Sequence, residues 1–133
     1  MKLFVFCVLA ATVAVHALTD QQKQKLNAYI NECKAQTGVS QELIDRGRKG
    51  EFVDDPTVKS QILCMMKKIG MATESGEVVV DDIRNKLRKV SENDEEVGRI
   101  IQKCVVKLDT PEETAFEVSK CIRQQKPNFS PVD

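Results

Sequence analysis

The chain has 133 residues, with Lys+Arg 20 and Asp+Glu 20, and a formal net charge of +0 at pH 7. That length limits it to one modest domain, and the charge balance argues against nucleic acid as a partner, because phosphate binding needs a clustered basic excess. It has five cysteines, no Trp and a single histidine, His16; both His16 and Cys7 fall in the N-terminal segment.

That segment reads Met1, Lys2, an unbroken apolar run from Leu3 to Val15, then His16 and Ala17. One positive charge, a short apolar core and small residues at Val15 and Ala17 predict a secretory signal peptide, residues 1–17, cleaved after Ala17. A membrane helix needs roughly 20 apolar residues, so membrane insertion is not expected. The expected mature chain, residues 18–133, loses Lys2 and becomes slightly acidic, and it contains no histidine. In an oxidising compartment its four cysteines, Cys33, Cys64, Cys104 and Cys121, read as two disulfides, with three pairings open. A zinc site is a poor alternative, since no C-x-x-C pair and no His remain.

Helical periodicity dominates the mature chain. Thr19 and Gln22 form a capping box, and Leu26, Tyr29, Ile30 and Cys33 then recur on one face up to Gly38. Ser40 caps a short second helix carrying Leu43 and Ile44, ended by Gly47 or Gly50. Asp55 and Pro56 open a third helix that runs through Val58, Ile62, Met65, Met66 and Ile69 to Gly70. With Leu63 and Cys64 added, its apolar arc exceeds half the circumference, with a polar strip near Ser60 and Lys67, so this helix is expected to be central.

Residues 71–77 read as a loop, and Val78 to Val80 as an apolar run too isolated to need a sheet. Asp81 and Asp82 suit the start of a fourth helix, with Ile83, Leu87 and Val90 inward and Arg84, Arg88 and Lys89 outward. A fifth, from near Asn93, puts Val97, Ile100, Ile101, Cys104, Val105 and Leu108 on one face. Thr110, Pro111 and Glu113 supply the caps of a sixth, carrying Ala115, Phe116, Val118, Cys121 and Ile122. Pro127 and Pro131 keep the tail from being helical. The prediction is one all-α domain, residues 18–133, a compact bundle of about six helices stapled by two disulfides.

Without His, the mature chain lacks the usual general base of hydrolases, so no enzyme and no catalytic residue is expected. The acidic pairs Asp54 with Asp55, Asp81 with Asp82 and Glu95 with Glu96 lie near helix starts, where capping and dipole compensation explain them. No phosphate loop or calcium loop is present, and no cofactor or metal is expected. Met65, Met66, Met71, Phe116 and Phe129 are adaptable or aromatic residues suited to an apolar cavity as well as to a core.

Two stretches carry a family resemblance. DDPTVKSQILCMMKKIGMATESGEVVVDDI, Asp54 to Ile83, resembles the centre of the insect odorant-binding protein family, and CVVKLDTPEETAFEVSKC, Cys104 to Cys121, resembles its final helix pair. Six-cysteine members place two further cysteines where Ser60 and Glu112 stand here. The chain therefore resembles the four-cysteine, or Minus-C, branch, and within it carriers of beetle haemolymph and accessory-gland secretions.

The resemblance implies pairing of Cys33 with Cys64 and of Cys104 with Cys121. It also implies an internal apolar cavity and reversible carriage of small lipophilic molecules such as pheromone-like volatiles, fatty acids, alcohols or terpenoids. Candidate wall residues are the inward positions Leu26, Ile30, Met65, Met66, Ile69, Ile83, Leu87, Val90, Ile101, Val105, Phe116 and Val118, with Tyr29 offering a hydroxyl to a polar head. Some relatives release ligand through histidine protonation, and a mature chain without His cannot use that step. The tail with Phe129 could cover a cavity mouth. The expected setting is an extracellular fluid, haemolymph, sensillar lymph or a gland secretion, with the protein as a monomer or weak dimer. The competing expectation is a secreted interaction or signalling factor without a small-molecule ligand; the sequence names no receptor.

Overall fold

The structure, a computed structural model, describes residues 18–132; the expected signal segment, residues 1–17, lies outside the described residues. Six helices follow one another: α1 Asp20–Thr37, α2 Gln41–Arg48, α3 Pro56–Ile69, α4 Val80–Arg88, α5 Asp94–Cys104 and α6 Pro111–Gln125. Their starts are set by side chains that take up the otherwise unpaired first-turn N–H groups. Thr19 accepts from the Gln22 N–H while the Gln22 side chain accepts from the Thr19 N–H, and Ser40, Asp55, Asn93 and Thr110 cap α2, α3, α5 and α6. In α4 the N-cap position is Val79, which has no side chain to donate or accept, so that helix starts with only Asp81 and Asp82 to complement its dipole.

The third helix is the axis of the fold, packing against α1 on one side and α6 on another, while α4 packs on α5 and α5 on α6. Its wide apolar arc is divided between two cores. Leu63 and Met66 join Met71, Ile83, Leu87, Val97, Ile100, Val118 and Ile122 in the larger one. Val58 joins Ile30, Val39, Ile44 and Phe116 in the smaller, and Ile62 touches both. Fully burying a Leu or Ile contributes about 1.5–3 kcal/mol, so the fully buried Ile83, Leu87 and Ile122 contribute much of the larger core's stability. Disulfides join Cys33 to Cys64, tying α1 to α3, and Cys104 to Cys121, tying α5 to α6. Ser60 and Glu112 both line a polar surface hollow of about 520 Å³ between α3 and the start of α6.

Two details depart from the sequence expectation, and a third, the burial of Lys86, adds to it. The fifth helix ends at Cys104, with Val105 already extended (φ −84°, ψ 95°), so Val105 and Leu108 are not on its inner face and Leu108 is exposed at 39 %. The Leu108 N–H instead donates to the buried Thr114 hydroxyl at 2.9 Å, which pins the α5–α6 connection back onto α6. Val90 follows the last turn of α4 rather than belonging to it and is half-buried. Lys86 is buried, its ammonium bonded to Asp82 one turn earlier and near the Ile69 carbonyl at the end of α3.

Residues 71–79 form a loop closed by a single antiparallel bridge between Ala72 and Val78 and by the Val79 N–H on the Met71 carbonyl. Gly76 (φ 88°) lies beneath α6, where an added Cβ would stand 2.6 Å from the Pro111 side chain. Among the described residues no helix is long and apolar enough to cross a membrane.

Candidate functional site

Ile62, Met65, Met66 and Ile69 recur at i, i+3, i+4 and i+7 on α3 and form one wall of an apolar pocket of about 160 Å³. Facing them are Ser119, Ile122 and Arg123 of α6, which share a face by the same spacing. Phe52, from the α2–α3 connection, and Met71, just past α3, close two sides, and Phe129 and Pro131 of the C-terminal tail close a third. The Ser119 hydroxyl donates weakly to the Met66 sulfur at 3.6 Å.

Beyond Phe129 the pocket gives onto a larger outer hollow, about 490 Å³, between α1, the end of α2 and the tail. Leu26, Lys23 and Arg48 line this outer space, and Arg123, Phe129 and Pro131 belong to both. The Arg123 guanidinium donates to the Arg48 carbonyl at 2.9 Å, and the Arg48 guanidinium donates to the Asn27 side chain. The tail is held at its root by an ion pair between Lys126 and Glu96 of α5, both largely buried. That hydrogen bond from Lys126, ahead of other causes, keeps the Glu96 carboxyl below its ordinary range. Further along, the Phe129 N–H bonds the Lys126 carbonyl at 3.0 Å, the Ser130 hydroxyl bonds the Val132 carbonyl at 2.8 Å, and Val132 is buried.

Of the sequence-derived wall residues, the structure brings Met65, Met66 and Ile69 together in the pocket and puts Leu26 in the outer hollow. Ile30 and Phe116 lie in the smaller core. Phe116 stands behind the pocket, its ring edge-to-face with Phe52 at 6.2 Å and within 5.4 Å and 5.6 Å of the Lys59 and Lys120 ammonium groups. Lys59 also bridges Asp54 at 2.8 Å and Glu113 at 2.6 Å. These two bonds, Asp54 first, hold its pKa above the usual lysine range.

Ile83, Leu87 and Val118 are fully buried in the larger core, with Ile101 packed at its edge. Val105 lines a separate hollow of about 400 Å³ between the 75–80 and 105–114 segments. Tyr29 and Val90 are half-buried and line neither the pocket nor the outer hollow. Phe52, Ser119, Ile122, Arg123 and Pro131 are pocket residues that the sequence reading did not select. Arg123 extends the Phe116–Ser119 stripe at i+7 and i+4, a placement that from sequence reads as an ordinary cation in the last helical turn.

A six-helix, disulfide-stapled bundle with an apolar pocket beside its central helix defines a small helical binding protein. The PBP/GOBP family model matches residues 15–125, and the chain belongs to this family of insect odorant-binding proteins, which are carriers rather than enzymes. The B1 protein of Tenebrio molitor is 46 % identical over 121 residues, covering 91 % of this chain and 93 % of that protein. Odorant-binding protein 10 of Aedes aegypti is 26 % identical over 115 residues, 84 % of this chain and 81 % of that one.

Among solved structures, the THP12 carrier protein of the yellow mealworm is 40 % identical with a TM-score of 0.56, covering 68 % of this chain and 84 % of that chain. The fatty acid binding protein OBP56a from the oral disk of the blowfly Phormia regina is 27 % identical with a TM-score of 0.67, covering 85 % of this chain and 98 % of that chain. The two disulfides match the Minus-C pattern.

Proposed function

We propose that the protein is a secreted, reversible carrier of small lipophilic molecules, held between α3, α6 and the C-terminal tail. The observation that carries this reading is the pocket itself, whose walls are mostly methionine, isoleucine and phenylalanine side chains from two helices, a loop and the tail. Such side chains repack around guests of different shape. Similarity to the blowfly fatty acid binding protein and to the mealworm carrier protein supports it. The apolar segment from Leu3 to Val15 and the two disulfides support an extracellular fluid as the place of work.

A guest that buries roughly 300 Å² of apolar surface gains about 7 kcal/mol at about 25 cal/mol per Å² before association costs. Dissociation constants are therefore expected near the micromolar range or weaker, which suits pick-up and release. The test is saturable binding of a fluorescent apolar probe, followed by displacement with aliphatic acids, alcohols and terpenoids. Absence of saturable binding across all three classes overturns the carrier reading and favours an interaction factor.

A further inference from the structure

We propose that the site selects amphiphiles ending in a carboxylate, with the Arg123 guanidinium taking the head group at the boundary between pocket and outer hollow. The proposal rests on the carrier reading above and adds a chemical class and a residue to it.

Among the described residues, Arg123 is the sole charged one lining the inner pocket. One of its N–H groups is committed to the Arg48 carbonyl, which fixes the guanidinium in place. A guanidinium presents five N–H donors in a rigid fork that fits a carboxylate through two parallel bonds, so donors remain for a ligand. Among the described residues no carboxylate lies within ion-pair distance of Arg123.

The outer hollow adds the cations Lys23 and Arg48, and among the described residues neither space is lined by an Asp or Glu. In a chain with Lys+Arg 20 and Asp+Glu 20, a run of three cations without an acid marks a local positive potential at the mouth of an apolar pocket. Elsewhere cations such as Lys59, Lys68, Lys86 and Lys126 are paired with acids of the chain itself.

Size agrees with this arrangement. A pocket of about 160 Å³ is close to the roughly 150 Å³ cavity that accommodates benzene, so it takes a short alkyl segment. A longer chain must continue past Phe129 toward the outer hollow, where the cations stand. A linear aliphatic acid, tail against Met65 and Met66 and head at Arg123, meets both requirements. An alcohol of equal length fills the same apolar space but supplies no charge-assisted bond, which is roughly twice as strong as a neutral one.

The experiment is displacement of a neutral apolar probe at pH 7.4 by decanoic acid and by 1-decanol, on the wild-type protein and on Arg123→Gln, which removes the charge and keeps a polar side chain of similar helix propensity. The expected result is decanoate binding about tenfold more tightly than decanol to the wild type. Arg123→Gln should remove that preference by weakening decanoate alone, and raised salt should weaken decanoate more than decanol.

Equal binding of the two ligands to the wild type overturns the head-group assignment and leaves the carrier reading intact, whatever the variant does. Binding of neither ligand, nor of the probe, overturns the carrier reading itself. An acid preference that survives in folded Arg123→Gln also overturns the assignment. So does salt-sensitive sedimentation with phosphatidylglycerol vesicles in the absence of decanoate selectivity, which would give the basic patch to a membrane surface.

Discussion

Phe129 lines both hollows, so a guest that moves between them passes its ring. It is half-buried and packed on the larger core. Phe129→Ala is expected to lower stability by about 1–2 kcal/mol, a part of the full burial energy of a phenylalanine. The same change should speed both probe association and dissociation in stopped-flow, dissociation by the larger factor because the bound guest also loses the ring contact, and an unchanged off-rate would show that guests leave by another path. Gly76 is a residue of the opposite kind, needed for what it lacks. Its φ of 88° is costly for any residue with a Cβ, and that Cβ would stand 2.6 Å from Pro111. Gly76→Ala is therefore expected to destabilise the fold by about 2 kcal/mol or more, from the left-handed conformation and the clash together, measured as a fall in the urea midpoint at unchanged m-value.

At the scale of elements, the two disulfides have different duties. Cys33–Cys64 closes a separation of 31 residues and ties the N-terminal helix to the centre, whereas Cys104–Cys121 closes 17 and fastens a hairpin already packed through Val97, Ile100 and Ile122. In the chain-entropy model each contributes about 3–4 kcal/mol, the longer loop slightly more. Replacing Cys33 and Cys64 by Ala is expected to expose α1 amides to hydrogen exchange before the rest of the bundle. Since Ser60 and Glu112 share one hollow, the pair Ser60→Cys with Glu112→Cys is expected to form a third bond under oxidising conditions and to raise the thermal midpoint; free-thiol counting and calorimetry check both statements. The helices themselves were legible because their starts are written in side chains: Thr19 with Gln22, Asp55 before Pro56, Thr110 before Pro111. The end of α5 was not, because Val105 and Leu108 continue the apolar spacing and the helix stops for a tertiary reason, the capture of the Leu108 N–H by Thr114. The site divides in the same way. The Met65, Met66 and Ile69 stripe was visible in α3 alone, whereas Phe52, Ser119, Arg123 and Pro131 enter through the way α6, a loop and the tail fold over that stripe.

For the whole molecule the strongest constraint is the absence of histidine from residues 18–132, which removes the one side chain whose ordinary pKa falls between pH 5 and 8. Acid sensitivity of these residues must then reside in carboxylates, and those with displaced pKa values are displaced downward. Glu96 is held below its ordinary 4.5 by the hydrogen bond from Lys126 at the root of the tail, and Asp55 below its ordinary 3.8 by the Thr57 hydroxyl and N–H at the start of α3. A carboxyl whose folded pKa is depressed lends stability that is whole above its unfolded value and is lost as pH falls through the folded one. Both contributions are therefore essentially intact from pH 7 to 5 and fade as pH falls below the ordinary values of 4.5 for Glu96 and 3.8 for Asp55. Affinity for a neutral apolar probe should stay flat over pH 7 to 5. On further acidification the thermal midpoint should fall and hydrogen exchange at residues 126–132 should rise together, because Glu96 and Lys126 hold the tail that closes the pocket. Glu96→Gln should show the faster tail exchange already at pH 7 and a shallower acid dependence than the wild type. A steep loss of probe affinity near pH 6 in the wild type would contradict this assignment of the acid-sensitive link.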